Sequence, residues 1–149
     1  MAHWTYYAGK KASLADGLRI ARRFKVMWRG AQNAAGALIA NAAHLRPGDT
    51  IHFAYRSAGQ CELAFRAIID QPDDPVKGAP ALGRVGGAAA EALAKAGYRT
   101  LRDGRIEVIH LADIEEDVDA TPLEPPSNQN ALRRGPPVPL EVAAHESKG

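Results

Sequence analysis

The stretch Leu45–Gly59, LRPGDTIHFAYRSAG, restricts the fold more than any other part of the chain. Pro47-Gly48 ends the helix predicted before it, because proline lacks an amide donor and glycine accepts the turn that follows. From Asp49 to Arg56 the side chains alternate. Ile51, Phe53 and Tyr55 fall on one face and His52, Ala54 and Arg56 on the other, the period of a half-buried strand. Ser57–Gln60 contains Gly59 and reads as a turn. Cys61–Asp70 reads as the return strand, with Leu63, Phe65, Ala67 and Ile69 on one side, so the two runs are predicted to pair as a hairpin.

The flanking segments supply the rest of a small domain. His3–Tyr7, HWTYY, is rich in strand formers. Ser13 stands where a helix N-cap would, and Leu14, Leu18, Ala21 and Lys25 follow at helical spacing, which predicts a helix over about 14–25 with its arginines outward. The alanine-rich run 32–44 predicts a second helix. Gln71–Pro80 reads as a polar loop. Ala88–Ala96 predicts a third helix with Gly97 after its end. Tyr98–Arg102 and Arg105–Leu111 flank Asp103-Gly104, a two-residue hairpin signal. Six of the ten prolines lie between Pro122 and Pro139. That texture marks 121–149 as a tail, laid across the domain or without regular structure, beside a domain over 1–120. An edge strand is expected at Leu140–Ala144. The order predicts an α+β domain built on a small, strongly bent mixed sheet or pseudo-barrel, with about five short strands and about three helices.

With 149 residues the chain is long enough for one real core. No apolar run approaches the roughly 18 residues of a membrane span, and the N-terminal residues lack the layout of a secretory signal, so no membrane partner is expected. Cys61 is the only cysteine, which excludes an internal disulfide and a thiolate zinc cluster and makes a reducing, cytoplasmic setting the default. The formal net charge is only +2. Its distribution is uneven: Lys10–Arg29 carries seven basic residues against Asp16, and Asp113–Asp119 carries five acids and no base. Such a front and back would orient a polyanion, or would be two solvated faces. The five histidines (His3, His44, His52, His110 and His145) show no ligand spacing, so no metal is expected. Gly83–Gly87, GRVGG, lacks the lysine and the preceding strand of a phosphate loop.

Three stretches together resemble the PUA-like superfamily, and within it the EVE domain. HWTYY (His3–Tyr7) resembles its aromatic first strand. ANAAHLRPGD (Ala40–Asp49) resembles its asparagine and Gly-Asp approach to the next strand. FAYRS (Phe53–Ser57) resembles its Phe-Tyr-His-Ser strand end, with Arg56 where a histidine is common. The likeness covers Ala2 to about Ile69. It implies a reader that binds DNA or RNA and takes a base, modified in many relatives, into an aromatic pocket with no cofactor. Trp4, Tyr6, Trp28, Phe53 and Tyr55 would then offer ring faces. Asn33, Asn41 and Ser57 would offer contacts to base edges, and Lys10, Arg22, Arg23 and Arg56 would meet phosphates.

Each of these residues also has a plainer role. Strand aromatics are mostly core, Phe53 most of all, and Trp28 would plug a helix junction. Asn41 would face solvent and Ser57 would start the turn. Two other functions remain open. A hydrolase of the related ASCH type would begin its motif at Gly9-Lys10-Lys11, but Leu14 stands where its glutamate belongs, which leaves only Lys11 with Thr5 as a nucleophile pair. An interaction module would use Arg133-Arg134-Gly135-Pro136-Pro137 to dock on a partner or to form a homodimer through the tail.

Overall fold

A computed structural model of the chain describes residues 2–8, 14–28, 43–57, 60–96, 100–116, 118, 122–124 and 132–139. Its elements are β1 (His3–Ala8), α1 (Leu14–Phe24), β2 (Val26–Trp28), β3 (Thr50–Ser57), β4 (Gln60–Ile69), β5 (Pro75–Val76), β6 (Ala79–Val85), α2 (Gly87–Lys95), β7 (Ile106–Glu115) and β8 (Leu132–Arg134). Seven strands run in the order β5-β6-β7-β4-β3-β1-β8, and β2 joins from the side by pairing with β7. The result is an α+β domain with a strongly curled, mixed half-barrel sheet.

The predicted hairpin is its centre. β3 and β4 pair antiparallel from Thr50↔Ile68 to Ser57↔Gln60, with a register shift at Phe53/Ala54. That shift corrects one expectation. Phe53 still pairs with Phe65, but Ala54 pairs with Leu63, so Leu63 leaves the face of Phe65, Ala67 and Ile69 and packs on the opposite side of the sheet. One extra residue on a strand reverses the side of everything beyond it.

β1 runs parallel to β3, from His3↔Thr50 to Ala8↔Tyr55. A parallel neighbour needs a long crossover, and α1, β2 and the chain as far as Asp49 provide it. α1 buries Ile20 and Ala21 and exposes Arg19, Arg22 and Arg23, the division its spacing predicts. Lys25, at φ 54, ends the helix. Its amide still bonds Ala21 O at 2.9 Å, and its carbonyl accepts from Leu111 N at 2.8 Å, which ties the helix end to β7.

The inner face of the sheet closes over a core that includes Trp4, Tyr6, Ile51, Phe53, Phe65, Met27, Leu82, Leu93 and Ile109. Tyr6, Phe53 and Phe65 form a ring stack across β1, β3 and β4, with centroids 5.8 and 4.9 Å apart. A smaller cluster of Tyr7, Ala54, Cys61 and Leu123 lies on the outer face.

Several sequence expectations are revised. Two helices are present among the described residues. The predicted helix over 32–44 falls outside them except for Ala43 and His44, which form a turn. The predicted loop 71–80 holds the short β5 and the start of β6. A strand therefore does precede Gly86-Gly87, although the lysine of a phosphate loop is still missing. Asp103-Gly104 makes a turn, with Leu101 N bonding Arg105 O at 2.7 Å, and among the described residues the strand that continues from it is β7; Tyr98 and Arg99 of the predicted partner strand lie outside them.

The tail contributes β8, antiparallel to β1 with Trp4↔Arg134 and Tyr6↔Leu132. Leu123 bridges Cys61 on one side and Pro139 on the other. These residues lie across the domain, one of the two arrangements the sequence left open. The edge strand expected at 140–144 lies outside the described residues.

Candidate nucleic-acid interface

The Gly-Asp turn anchors the start of both central strands. Gly48 has φ 95, a conformation that a side chain would strain. It thereby aims the buried Asp49 carboxylate back at β1. Asp49 Oδ2 accepts from Trp4 Nε1 at 3.0 Å and from Arg46 N at 3.1 Å, while Oδ1 accepts from Ala2 N at 3.2 Å. A buried carboxylate needs such donors, and a buried indole N–H needs an acceptor.

Trp4 is thus a structural residue in this arrangement. It is 2 % exposed, and the Arg134 guanidinium from the tail lies 5.8 Å from its ring centroid. Tyr6 and Phe53 are 1 % exposed, inside the ring stack. The open ring faces expected of these three are turned into the core instead, because β1 and β3 present them to the concave side of the sheet, where Phe65 and the aliphatic residues close over them.

Tyr55 stands apart. It lies on the same face as Phe53 but at the end of β3, beside the last residue of β1, and is only half-buried. Its hydroxyl donates to Glu62 Oε2 at 3.0 Å across the hairpin. Burial and the neighbouring Glu62 both push the phenol above its ordinary range, so it stays protonated and donating at neutral pH. Glu62 was not singled out from the sequence. Only the shifted register places it opposite Tyr55.

The other candidates divide into three groups. For Trp28, Arg56 and Ser57 the structure describes the backbone alone, in β2 opposite Val108 and in β3 opposite Cys61 and Gln60. Lys10, Asn33 and Asn41 lie outside the described residues. The third group, Arg22 and Arg23, sits exposed on the last turn of α1. Arg22 is engaged with Glu116, both of whose oxygens lie 3.0 Å from its Nε. The basic front and acidic back of the sequence therefore meet at this point. Arg66 and Glu115 form a second such pair at 2.7 Å. Arg23 lies 5.0 Å over the Phe24 ring.

The outer face holds a polar cluster that the sequence did not announce. His3 Nδ1 and His52 Nε2 are 3.0 Å apart. With centroids 5.2 Å apart and planes at 19°, the rings lie edge to edge and share an N–H···N bond. Burial, then His3, then Arg66 lower the His52 pKa to about 4. Thr5 is fully buried and its hydroxyl donates to Gly135 O at 2.9 Å, so a nucleophile there is occupied and shielded. Tyr7 reaches Glu124 O at 3.4 Å, and burial raises its pKa. Among the described residues no group of three or more His, Cys, Asp or Glu is placed to hold a metal ion, and no helix is long and apolar enough to cross a membrane.

No protein-family model matches the chain, and no curated protein matches its sequence.

Proposed function

We propose that the chain is a nucleic-acid-binding reader of the PUA-like, EVE type, which receives an unstacked base against Tyr55 without chemically altering it. The observation that carries this reading is the contrast among the aromatic residues of β1 and β3. Trp4, Tyr6 and Phe53 are packed as a fixed wall, whereas Tyr55 keeps ring surface open at the strand end and has its hydroxyl held by Glu62. A base that leaves its stack needs a flat, preorganised ring and a nearby polar edge, and this pair supplies both. Arg23, exposed on α1, supplies positive charge for the backbone. The parallel β1–β3 pair in a curled mixed sheet supports the family likeness.

The tail-docking alternative is less favoured, because Arg134 already pairs with Trp4 and Gly135 O already holds Thr5 within the chain. The same contact weighs against Thr5 as a nucleophile.

A panel of single-stranded DNA and RNA oligonucleotides, unmodified and carrying different base modifications, tests the reading at low salt. Binding that depends on the identity of one base supports it. Absence of binding to every member of the panel contradicts it.

A further inference from the structure

The outer face of the sheet carries a second cluster, on the side opposite the Phe53 core. It is assembled by register alone. Parallel pairing sets Thr5 beside His52, with His3 two residues back on the same face. Antiparallel pairing sets His52 directly opposite Arg66. His3 and Arg66 are exposed, and His52 lies between them, 7 % exposed, with its ring nitrogen 3.0 Å from that of His3. Three nitrogen-bearing side chains of basic type thus converge on one patch.

Two features point to an anion. Among the described residues, the charged and titratable groups acting on His52 are His3 and Arg66, both basic. Among the described residues the carboxylate on Arg66 is Glu115, approached from the far strand, and both members of that pair remain about half exposed. An exposed pair of this kind contributes little and exchanges readily for a better acceptor. A phosphate group offers three or more acceptor oxygens and matches a guanidinium in two-pronged geometry, whereas Glu115 meets Nε and Nη2 of Arg66 through the single oxygen Oε2, at 2.8 and 2.7 Å. With His52 Nε2 donating to His3 Nδ1, the neutral pair keeps one outward N–H, on Nε2 of the exposed His3, and His52 fixes its direction.

We propose that His3, His52 and Arg66 form a phosphate-binding site, and that its ligand is a backbone phosphate of the nucleic acid whose base is read at Tyr55. The inference rests on the reader assignment for the identity of the ligand but not for its chemistry. Arg66 supplies the permanent charge, His3 the exposed donor, and His52 positions His3. Glu115 is a resident competitor that holds Arg66 while the site is empty.

The test uses the full chain with a fluorescent single-stranded oligonucleotide across a salt series, and inorganic phosphate followed by NMR of the histidine rings. Arg66→Ala is expected to weaken oligonucleotide binding about tenfold and to reduce the salt slope by about one. Glu115→Gln is expected to strengthen binding by up to about fivefold, since it frees Arg66. Inorganic phosphate should shift the His3 and His52 resonances in the parent and not in Arg66→Ala. If the parent binds oligonucleotide and loses affinity in Tyr55→Ala, but neither Arg66→Ala nor Glu115→Gln changes affinity or slope, the phosphate site is overturned and the reader stands. If no oligonucleotide binds but phosphate shifts the histidines in an Arg66-dependent way, the site stands and the reader reading falls. If neither ligand binds, both are overturned.

Discussion

Trp4 Nε1 donates to Asp49 Oδ2 across 45 residues of sequence, at 3.0 Å. This bond fixes the start of β1 against the start of β3, and the parallel register of the two strands follows from it. Every aromatic residue on either strand takes its face from that register, including Tyr55 at the far end.

Replacing Asp49 with Ala should therefore damage more than a surface turn. The indole N–H and the amides of Ala2 and Arg46 would lose their shared acceptor. A loss of about 2–4 kcal/mol is expected. Chemical denaturation followed by tryptophan emission would measure it, and unchanged stability would show that the anchor is dispensable.

His52 makes stability depend on pH. Its folded pKa, about 4, lies below the ordinary value of 6.5, so the unfolded chain binds the proton more readily. This contribution is fully present above about pH 6.5 and is lost as pH falls from there towards 4, a total on the order of 3 kcal/mol. Denaturation midpoints measured from pH 7 to pH 4 should fall in the parent and fall less steeply in His52→Gln. Parallel curves for the two proteins would contradict the account of His52.

Gly83 leaves room for a neighbouring ring. A Cβ there would stand 2.6 Å from His110 Nε2 and 2.7 Å from Pro72 Cβ. His110 packs into that space half-buried, and burial depresses its pKa. Gly83→Ala should destabilise by about 1–3 kcal/mol. In a His110→Ala background the cost should shrink without vanishing, because Pro72 remains. Equal costs in the two backgrounds would mean that the imidazole is not the obstacle.

Leu132 tests the role of the tail. It is 1 % exposed, opposite Tyr6 in the β1–β8 pair. Leu132→Ala should cost about 2–5 kcal/mol, as truncation of a buried leucine does. It should also loosen Arg134 from Trp4 and shift tryptophan emission to the red. A variant as stable as the parent would show that β8 is an ornament on the edge of the sheet.

The central hairpin, both ends of α1 and the curled mixed sheet were legible because alternation and helical spacing are local signals. Other features had no such signal. β2 is three residues long, too short for any periodicity to register. β6 was hidden by Pro80, read as the end of a loop, and by Gly83, which interrupts the strand pattern, although both lie within the strand. β8 lies in a proline-rich stretch whose composition argued against regular structure, yet three residues free of proline were enough to pair with β1. The candidate site divided in the same way. Strand aromatics could be found by type, but which of them remains exposed depends on the parallel register and on the shift beside Phe53, and both are set by contacts distant in sequence. The meeting of Arg22 with Glu116 and the His3–His52 pair were invisible for the same reason.

The most direct test of the central claim is the affinity of Tyr55→Ala and Tyr55→Phe for the best-bound oligonucleotide of the panel. Stacking on one ring is worth about 1–3 kcal/mol per base. Tyr55→Ala should therefore bind about 5- to 150-fold more weakly while remaining folded, and Tyr55→Phe should retain most of the affinity. Binding by Tyr55→Ala equal to that of the parent would contradict the account.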